Sequence, residues 1–355
     1  MQNPQNFLIG GNDEHGLTPP TAGKRTPVMP YIGRPFYENE FTYPAKNFFL
    51  EACLRTGFNV FDVKRTRVDV PISQRVALVN RQNLTLVVTF GYNAFGDGNS
   101  FNSVSGINVF YSQQNVLPQR SRILSTEVYN QLIQGTPQRG RGVATLTGVG
   151  MLSSVNTVAT LPEPGFMTNF GEAKIMVDPD FQRECGEETC RGVCSYLDVA
   201  YVARIAPQNL PILRQGSRGN FVKYLQYLLY DAGYDPQSAD GVFGALTRNA
   251  VIGFQRENGL SQDGIVGANT WSKLLNENPQ NTVLRQGSRG VEVRYLQRKL
   301  LAKLYNVGVI DNIFGAQTAR AVREFQQENG LAVDAIVGRQ TWNRIMPIGG
   351  GRPLP

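Results

Sequence analysis

The chain has 355 residues, of which 41% are hydrophobic and 18% charged, so it is long enough for two or three domains and too apolar for a disordered chain. Its formal net charge of +7 favours an anionic partner, but there is no long basic run and no nucleic-acid-binding fingerprint, which argues against nucleic acid. No apolar run approaches the ~18 residues that a membrane span needs.

The first 205 residues alternate strand-like apolar runs with helical patterns. Strands are predicted at 6–9, 84–90 and 107–112, and helices at 39–57, 121–135 and 181–202. Strands that alternate with helices usually form a mostly parallel sheet with flanking helices, so residues 1–205 are predicted to be an α/β domain. Binding sites in such sheets form where the strands end.

Polar side chains gather at these strand ends. The only histidine of the chain follows the first strand, and two glutamates precede the first helix. A metal hydrolase needs two or three His, Asp or Glu ligands, an open position for water and a carboxylate base, and the pattern is consistent with such a site. The residues concerned are His15, Glu38, Glu40, Asn93, Asp97 and Glu163.

The C-terminal part contains an internal repeat. The heptapeptide LRQGSRG occurs at 213–219 and at 284–290, and the two tryptophans, Trp271 and Trp342, have the same offset (285 − 214 = 71 and 342 − 271 = 71). Such a repeat indicates two modules of one design, each with three predicted helices. The modules are placed at 210–276 and 282–347, with a polar linker at 276–281 and a flexible tail at 348–355.

Each module resembles the small helical peptidoglycan-binding modules found on bacterial and phage wall hydrolases. The shared signature is LRQGSRG, a helix with Leu-Gln, then DGxFGxxT, Phe-Gln and GLxxDGIVGxxTW. Asn312 and Ala335 replace turn glycines in the second copy, and we expect altered loops there. The shared aromatic residues are predicted to be core rather than ligand contacts; they are Phe243, Phe254, Trp271, Phe314, Phe325 and Trp342.

Residues 6–202 resemble the zinc-dependent N-acetylmuramoyl-L-alanine amidases. The landmarks, in order, are a loop that ends in His-Gly, here Glu14-His15-Gly16, then Glu38 before the first helix, the pair Arg75 and Asn80, and the stretch Glu163 to Asn169. The loop departs from the family in one respect, because Asn12-Asp13-Glu14 stands where Asp-Pro-Gly is usual. The resemblance implies that His15 and Glu38 bind zinc. It implies that Glu163 is the general base that activates water and then protonates the leaving amine.

One family ligand is missing. The third zinc ligand of the family is a histidine on the strand that here reads TFGYNA, and Gly91 occupies its position. A site with only His15 and Glu38 would bind zinc weakly. Other side chains are therefore candidates for substitute ligands or substrate contacts, namely Glu40, Arg75, Tyr92, Asn93 and Asp97.

Two functions follow from these resemblances. The first is a cell-wall amidase with a divergent zinc site, held on peptidoglycan by two modules; the alternative is an inactive amidase fold that serves as a wall-binding scaffold. The N-terminal residues lack the basic and apolar regions of a signal peptide. We therefore expect synthesis in the cytoplasm and action at the wall after lysis or non-classical release, or in a spore or mother cell.

Overall fold

The computed structural model describes residues 1–17, 24–275 and 279–354. The described residues form two compact units, the first holding most of residues 1–204 and the second most of residues 205–354. Within the described residues, no helix has the length and apolar character that a bilayer crossing requires. The boundaries of the two predicted modules stay predictions. Part of the predicted linker, 276–278, lies outside the described residues.

The first unit is built on a six-stranded sheet in the order β2-β1-β3-β6-β4-β5. All pairings are parallel except that of β4 with β6, which confirms the predicted mostly parallel α/β domain. The sequence patterns did not indicate β2 or β5. The strands are β1 (Leu8–Asp13), β2 (Asn59–Asp62), β3 (Leu86–Phe90), β4 (Ile107–Tyr111), β5 (Gly140–Thr145) and β6 (Val158–Glu163).

Helices cover both faces of this sheet, which is why every residue of β3 is buried. On one face α1 packs against β1, β2 and β3, and α3 packs against β4, β5 and β6. On the other face α2 and α4 enclose an apolar cluster that includes Val79, Val87 and Met151. The helices are α1 (Asn39–Thr56), α2 (Ile72–Arg81), α3 (Pro118–Gly135), α4 (Gly150–Ser153), α5 (Phe170–Ile175) and α6 (Pro179–Leu197).

The first strand is longer than its apolar residues indicate. The pattern placed it at 6–9, but it runs to Asp13 because Gly10 and Gly11 continue it. A Cβ atom on Gly10 would lie 2.7 Å from a methyl group of Leu84, and one on Gly11 would lie 2.8 Å from Leu50. Two glycines therefore let neighbours pack closely on both sides of β1, and the strand carries the chain directly to the histidine loop.

The last helix of this unit is shorter than predicted. The expected helix at 181–202 ends at Leu197, and Asp198 adopts a left-handed conformation with φ 52°. The chain beyond it pairs with the end of α1 instead. The N–H of Val202 donates to Thr56, and the Arg55 side chain donates to the carbonyl of Val202. These contacts satisfy both backbone polar groups of Val202 outside a helix.

The second unit contains the six predicted helices, three for each module. A buried tryptophan in each module donates its ring N–H to a backbone carbonyl, Trp271 to Pro211 and Trp342 to Thr282. All six shared aromatic residues are buried, which confirms their assignment to the core. The helices are α7 (Asn220–Asp231), α8 (Ala245–Glu257), α9 (Ala268–Leu274), α10 (Val291–Ala302), α11 (Ala316–Glu328) and α12 (Arg339–Ile345).

The turns of the second module are not altered where glycine is replaced, so that expectation was wrong. Asn312 and Ala335 have φ values of 65° and 58°, close to the 78° and 69° of Gly241 and Gly264 in the first module. The buried Gln326 holds Ala335 in place because its side-chain oxygen accepts the alanine N–H at 2.9 Å. The fold therefore imposes the left-handed turn on residues that disfavour it.

The predicted flexible tail, 348–355, stays a prediction. In its described part, the Arg352 side chain donates to the carboxylates of Glu324 and Glu328. Pro355 lies outside the described residues.

Candidate metal centre

The histidine loop leaves the sheet at the carboxyl end of β1. His15 follows the strand by two residues and has a left-handed backbone, with φ 52°. Its Nε2 atom lies 3.6 Å from a carboxylate oxygen of Glu38 and 3.8 Å from one of Glu14. The ligand atoms of these three residues all lie within 4.8 Å of one another. The structure thus brings together His15 and Glu38, as the resemblance implied, and adds Glu14.

Glu38 stands at the start of α1 and is buried. One of its carboxylate oxygens accepts the N–H of Tyr92 at 2.8 Å, which fixes the carboxylate against the end of β3. The other oxygen faces His15 and has no hydrogen-bond partner among the described residues. A buried carboxylate oxygen without a partner is costly, and a bound cation would relieve that cost.

Glu14 was not recognised from the sequence, although it directly precedes the histidine. Adjacent residues of an extended chain project to opposite sides, so two neighbouring residues would not ordinarily ligate one ion. The left-handed backbone at His15 breaks that alternation and leaves both side chains beside Glu38. The only signal in the sequence was Glu14 itself, because the family that the domain resembles usually has a glycine before this histidine.

Glu163, at the end of β6, lies beside Gly91, which occupies the position of the family's third ligand. A Cβ atom on Gly91 would lie 3.0 Å from a carboxylate oxygen of Glu163 and 3.1 Å from Leu161. A methyl group at position 91 would therefore require Glu163 to shift by a few tenths of an ångström. The glutamate side chain thus packs directly against the position from which the family ligand is missing.

Burial and the nearby charges shift the pKa values of the acidic residues and of the histidine. Burial raises the pKa of Glu163 to about 8, and the negative charge of Glu14 adds to the rise. Burial also raises the pKa of Glu38, with a further contribution from Glu14. Burial lowers the pKa of His15 to about 4, assisted by the charges of Lys24 and Arg75. The imidazole is therefore neutral at pH 7, the form that binds metal ions.

A network of buried ion pairs and hydrogen bonds holds the loop that carries His15. Lys64 forms an ion pair with Asp13 at 2.6 Å and donates to the backbone carbonyl of His15 at 2.7 Å. Asn39 donates to the same aspartate and to the same carbonyl. These bonds hold the His15 backbone in its left-handed conformation, which is how the strained residue is stabilised.

The side chains considered as substitute ligands lie elsewhere. Glu40 receives two hydrogen bonds from Arg34 at 2.8 Å each. The Tyr92 hydroxyl donates to the carbonyl of Glu172. Asp97 is exposed and accepts from Asn99.

Two further residues of the predicted site have structural partners. Arg75 donates to the side chain of Asn12 and to the carbonyl of Asp13, so it braces the histidine loop. The Asn93 side chain accepts the N–H of Ala94. Asn80, the partner of Arg75 in the resemblance, bonds to the backbone of Ser154 and Asn156.

The residues present fit a divalent metal ion. One imidazole and two carboxylates match the nitrogen and oxygen ligands that zinc accepts, and three ligands leave a position open. The free oxygen of Glu38 is a buried polar atom without a partner among the described residues, and it faces Nε2 of His15. Burial and nearby acids raise the pKa values of Glu14, Glu38 and Glu163, and the imidazole is neutral. A bound cation would stabilise the ionised carboxylates and lower those pKa values.

Comparison with known families identifies relatives for both parts of the chain. Residues 31–195 match the family model described as N-acetylmuramoyl-L-alanine amidase, and residues 218–274 and 289–345 each match the putative peptidoglycan binding domain. The chain thus carries an amidase-family domain and two peptidoglycan-binding repeats. The matched range of the amidase-family domain begins after His15, so the histidine loop lies outside it.

Individual relatives match the amidase-family domain over part of their length. A probable N-acetylmuramoyl-L-alanine amidase of Bacillus licheniformis is 31% identical over 161 residues, which cover 39% of this chain and 45% of that protein. The amidase CwlL of the same species is 32% identical over 158 residues, or 37% of this chain and 44% of its own. The chain therefore spans less than half the length of these two curated relatives.

Among solved structures, the amidase AmiC2 of Nostoc punctiforme superposes with a TM-score of 0.46 at 20% identity, covering 54% of this chain and 97% of that one.

Proposed function

We propose that this chain is a metal-dependent amidase that hydrolyses the amide bond between N-acetylmuramic acid and L-alanine in peptidoglycan. The observation that carries the proposal is the convergence of three ligating groups and a separate carboxylate at one edge of the sheet. The family matches support the reaction class and the polymer. The two helical modules would hold the enzyme on its insoluble substrate and raise the local concentration of scissile bonds.

In this proposal Glu14, His15 and Glu38 hold the ion, which replaces the missing third histidine with a carboxylate. When bound, zinc supplies a Lewis acid that polarises an amide carbonyl and makes water more acidic. The two ligating carboxylates would neutralise the charge of the ion, and the neutral imidazole would add none. The Lys64 and Arg75 contacts would keep the loop in place during turnover.

Glu163 is the proposed proton carrier. In its ionised form the carboxylate accepts a proton from the attacking water while the water oxygen bonds to the amide carbon. The bond between that carbon and the L-alanine nitrogen then breaks, and the same carboxyl donates the proton to that nitrogen. The raised pKa of Glu163 in the metal-free protein makes proton donation to an amine feasible near neutral pH.

The test is product analysis on purified cell-wall sacculi with the full chain, with and without added zinc. We expect newly freed L-alanine amino termini, and we expect Glu163→Gln to lower their rate of release by about 10³-fold, within the range for loss of a general base. Glu184→Gln, a matched change of a half-buried acid on α6, should leave the rate unchanged. Zinc content of the Glu163→Gln protein should equal that of the wild type.

A second candidate, a non-catalytic wall-binding scaffold, is favoured by one observation, the glycine at the position of the family's third ligand. The same experiment separates the two. Sacculi that bind the chain and remain intact at stoichiometric zinc would establish the scaffold. Release of L-alanine termini that depends on Glu163 would establish the amidase.

A further inference from the structure

The exposed residues of the two modules can be compared position by position, because the two sequences align at a constant offset of 71 residues. Exposed positions differ freely between the copies; Leu246 corresponds to Gln317 and Asn249 to Arg320. Against this background the heptapeptide LRQGSRG is identical in both, although most of its residues are exposed. An identical exposed segment among changed surroundings needs a cause, either in the fold or in a ligand.

The fold explains four of the seven residues. Leu213 is buried, and Gly216 and Gly219 have φ values of 96° and 105°, which favour glycine. The Ser217 hydroxyl accepts the N–H of Arg214 and closes the turn. The corresponding residues of the second module are equivalent: its leucine is buried, its glycines have φ values of 94° and 109°, and its serine accepts the N–H of Arg285.

The fold does not explain the other three. Arg214, Gln215 and Arg218 are exposed, and none of their side chains has a hydrogen bond or ion pair with any part of the chain that the structure describes. The same holds for their counterparts in the second module. Many other cations of this unit are paired, such as Lys273 with Glu292 and Arg320 with Glu324. The two arginines of each loop therefore offer unused hydrogen-bond donors and positive charge to solvent.

An exposed isoleucine lies beside each loop. Leu213 pairs with Val266 in an antiparallel bridge, which places Arg214 opposite Ile265, and the bridge between Arg218 and Val242 anchors the other end of the turn. The second module repeats both bridges. We define the paired-arginine surface as Arg214, Gln215, Arg218 and Ile265 in the first module and Arg285, Gln286, Arg289 and Ile336 in the second.

We propose that the paired-arginine surface of each module is where peptidoglycan binds, through the carboxylates and alanine methyl groups of the stem peptide. This deepens the proposed function and rests on it for the identity of the polymer. Guanidinium groups recognise carboxylates by paired hydrogen bonds. The isoleucine provides an apolar contact of a size that suits a methyl group. Two equivalent surfaces on one chain bind a repeating polymer by avidity, so neither has to bind tightly.

The test uses the full chain with all four arginines changed, Arg214→Gln, Arg218→Gln, Arg285→Gln and Arg289→Gln. The matched control changes four arginines of the same modules that are not repeated between copies, Arg248→Gln, Arg256→Gln, Arg323→Gln and Arg344→Gln. Both proteins lose four positive charges. Binding is measured by co-sedimentation with sacculi from which anionic wall polymers have been removed. Thermal melting confirms that each variant is folded.

We expect the paired-arginine variant to bind about 30-fold more weakly, since four exposed charge contacts each contribute modestly, and the control to stay within about twofold of the wild type. A variant with only the first module's pair changed should lie between them. Sacculi stripped of stem peptides should bind the wild type as weakly as they bind the variant. Equal binding by the wild type and the paired-arginine variant would overturn the proposal. So would a loss that appears only when the phosphate-rich wall polymers are present.

Cleavage of a small soluble muropeptide distinguishes this proposal from the proposed function. Such a substrate does not need tethering, so the paired-arginine variant should cleave it at the wild-type rate. If no protein cleaves it but the binding difference persists, the amidase proposal fails while the binding surface stands. If cleavage is normal and binding is unchanged, the binding surface is wrong while the amidase stands.

Discussion

Buried polar groups are treated in opposite ways in the two parts of this molecule. In the modules, the amide of the buried Gln226 donates to Asp240, Val242 and Thr247, and its oxygen accepts the N–H of Gly241. The pattern recurs at three more glutamines, Gln255, Gln297 and Gln326. Each polar atom of these four glutamine side chains has a partner inside the fold.

The amidase-family domain leaves its central polar atoms without such partners. One oxygen of Glu38 is buried and unbonded among the described residues, it faces Nε2 of His15, and Glu14 raises the pKa values of Glu38 and Glu163. Satisfied polar clusters stabilise a fold, whereas unsatisfied ones remain available to a ligand. Under our proposal, the modules use their buried polar groups for stability, whereas the residues around His15 use theirs to bind an ion. Variants in each region test this difference.

After the loss of activity in Glu163→Gln, the largest expected effect is on zinc affinity when the proposed ligand Glu14 is changed. Glu14→Gln removes one of the two charged ligands, and we expect zinc affinity to fall by about 100-fold or more, since ligand loss should exceed the 10–100-fold cost of losing an outer-shell partner. Competition with a chromophoric chelator measures the affinity. Glu40→Gln, a change of a nearby acid that pairs with Arg34, is the control and should bind zinc like the wild type. Equal affinity in Glu14→Gln would remove Glu14 from the site.

The next effect is on stability, when one of the hydrogen-bonded buried glutamines of the modules is changed. Gln226→Ala leaves Asp240 and the N–H of Gly241 without a buried partner, and we expect the free energy of unfolding of the second unit to fall by about 2 kcal/mol. Gln262→Ala, at an exposed position of the same module, should change it by less than about 0.5 kcal/mol. Urea unfolding followed by tryptophan fluorescence reports on this unit, because both tryptophans lie in it. A similar loss of unfolding free energy in Gln226→Ala and Gln262→Ala would show that the hydrogen bonds of Gln226 do not stabilise the module.

The unsatisfied cluster should make the metal-free protein sensitive to pH. The pKa of Glu163 is about 8 in the fold, above its unfolded value of 4.5. Its contribution to the free energy of unfolding is therefore full below pH 4.5 and is lost as the pH rises through 8. The pKa of His15 is about 4, below its unfolded value of 6.5, so its contribution is present above pH 6.5 and is lost as the pH falls towards 4.

Between pH 6.5 and 8 the two effects separate, because only the glutamate of this pair still titrates there. We expect the melting temperature of the metal-free wild type to decrease across this window, and that of Glu163→Gln to decrease less. Added zinc should remove most of the difference in slope. Parallel curves for the two metal-free proteins would show that Glu163 is not held in a buried acidic cluster.

The smallest effect compares the modules with each other. Ala335→Gly should stabilise the second module by about 1 kcal/mol, because glycine adopts the left-handed turn without the strain that alanine has there. The reciprocal change, Gly264→Ala, should destabilise the first module by a similar amount. Opposite signs in the two unfolding measurements would support a shared turn geometry. A loss of stability in Ala335→Gly would show that the alanine side chain makes a compensating contact.

Sequence patterns were sufficient wherever local chemistry determines the structure. The repeat of 71 residues predicted two equivalent modules, and the apolar run at 84–90 predicted the central strand β3. They failed where the structure depends on contacts distant in sequence. The continuation of β1 through Gly10 and Gly11 requires knowing that Leu84 and Leu50 pack against them.

The site was predicted in part for the same reason. The resemblance indicated His15, Glu38 and Glu163 together, and the structure brings the first two within 3.6 Å. The role of Glu14 could not be anticipated, because it depends on the left-handed backbone of the next residue. The fit of Glu163 into the space beside Gly91 depends on the packing of β3 against β6, which no local pattern encodes.

The most direct test of the metal centre is anomalous X-ray diffraction at the zinc absorption edge, from crystals of the full chain grown with zinc. We predict one strong peak in the N-terminal unit, within about 2.0–2.2 Å of the ligand atoms of Glu14, His15 and Glu38. A second data set from Glu14→Gln crystals should show this peak much weaker. No peak at this position, or a peak bound by other residues of the chain, would contradict the proposed centre.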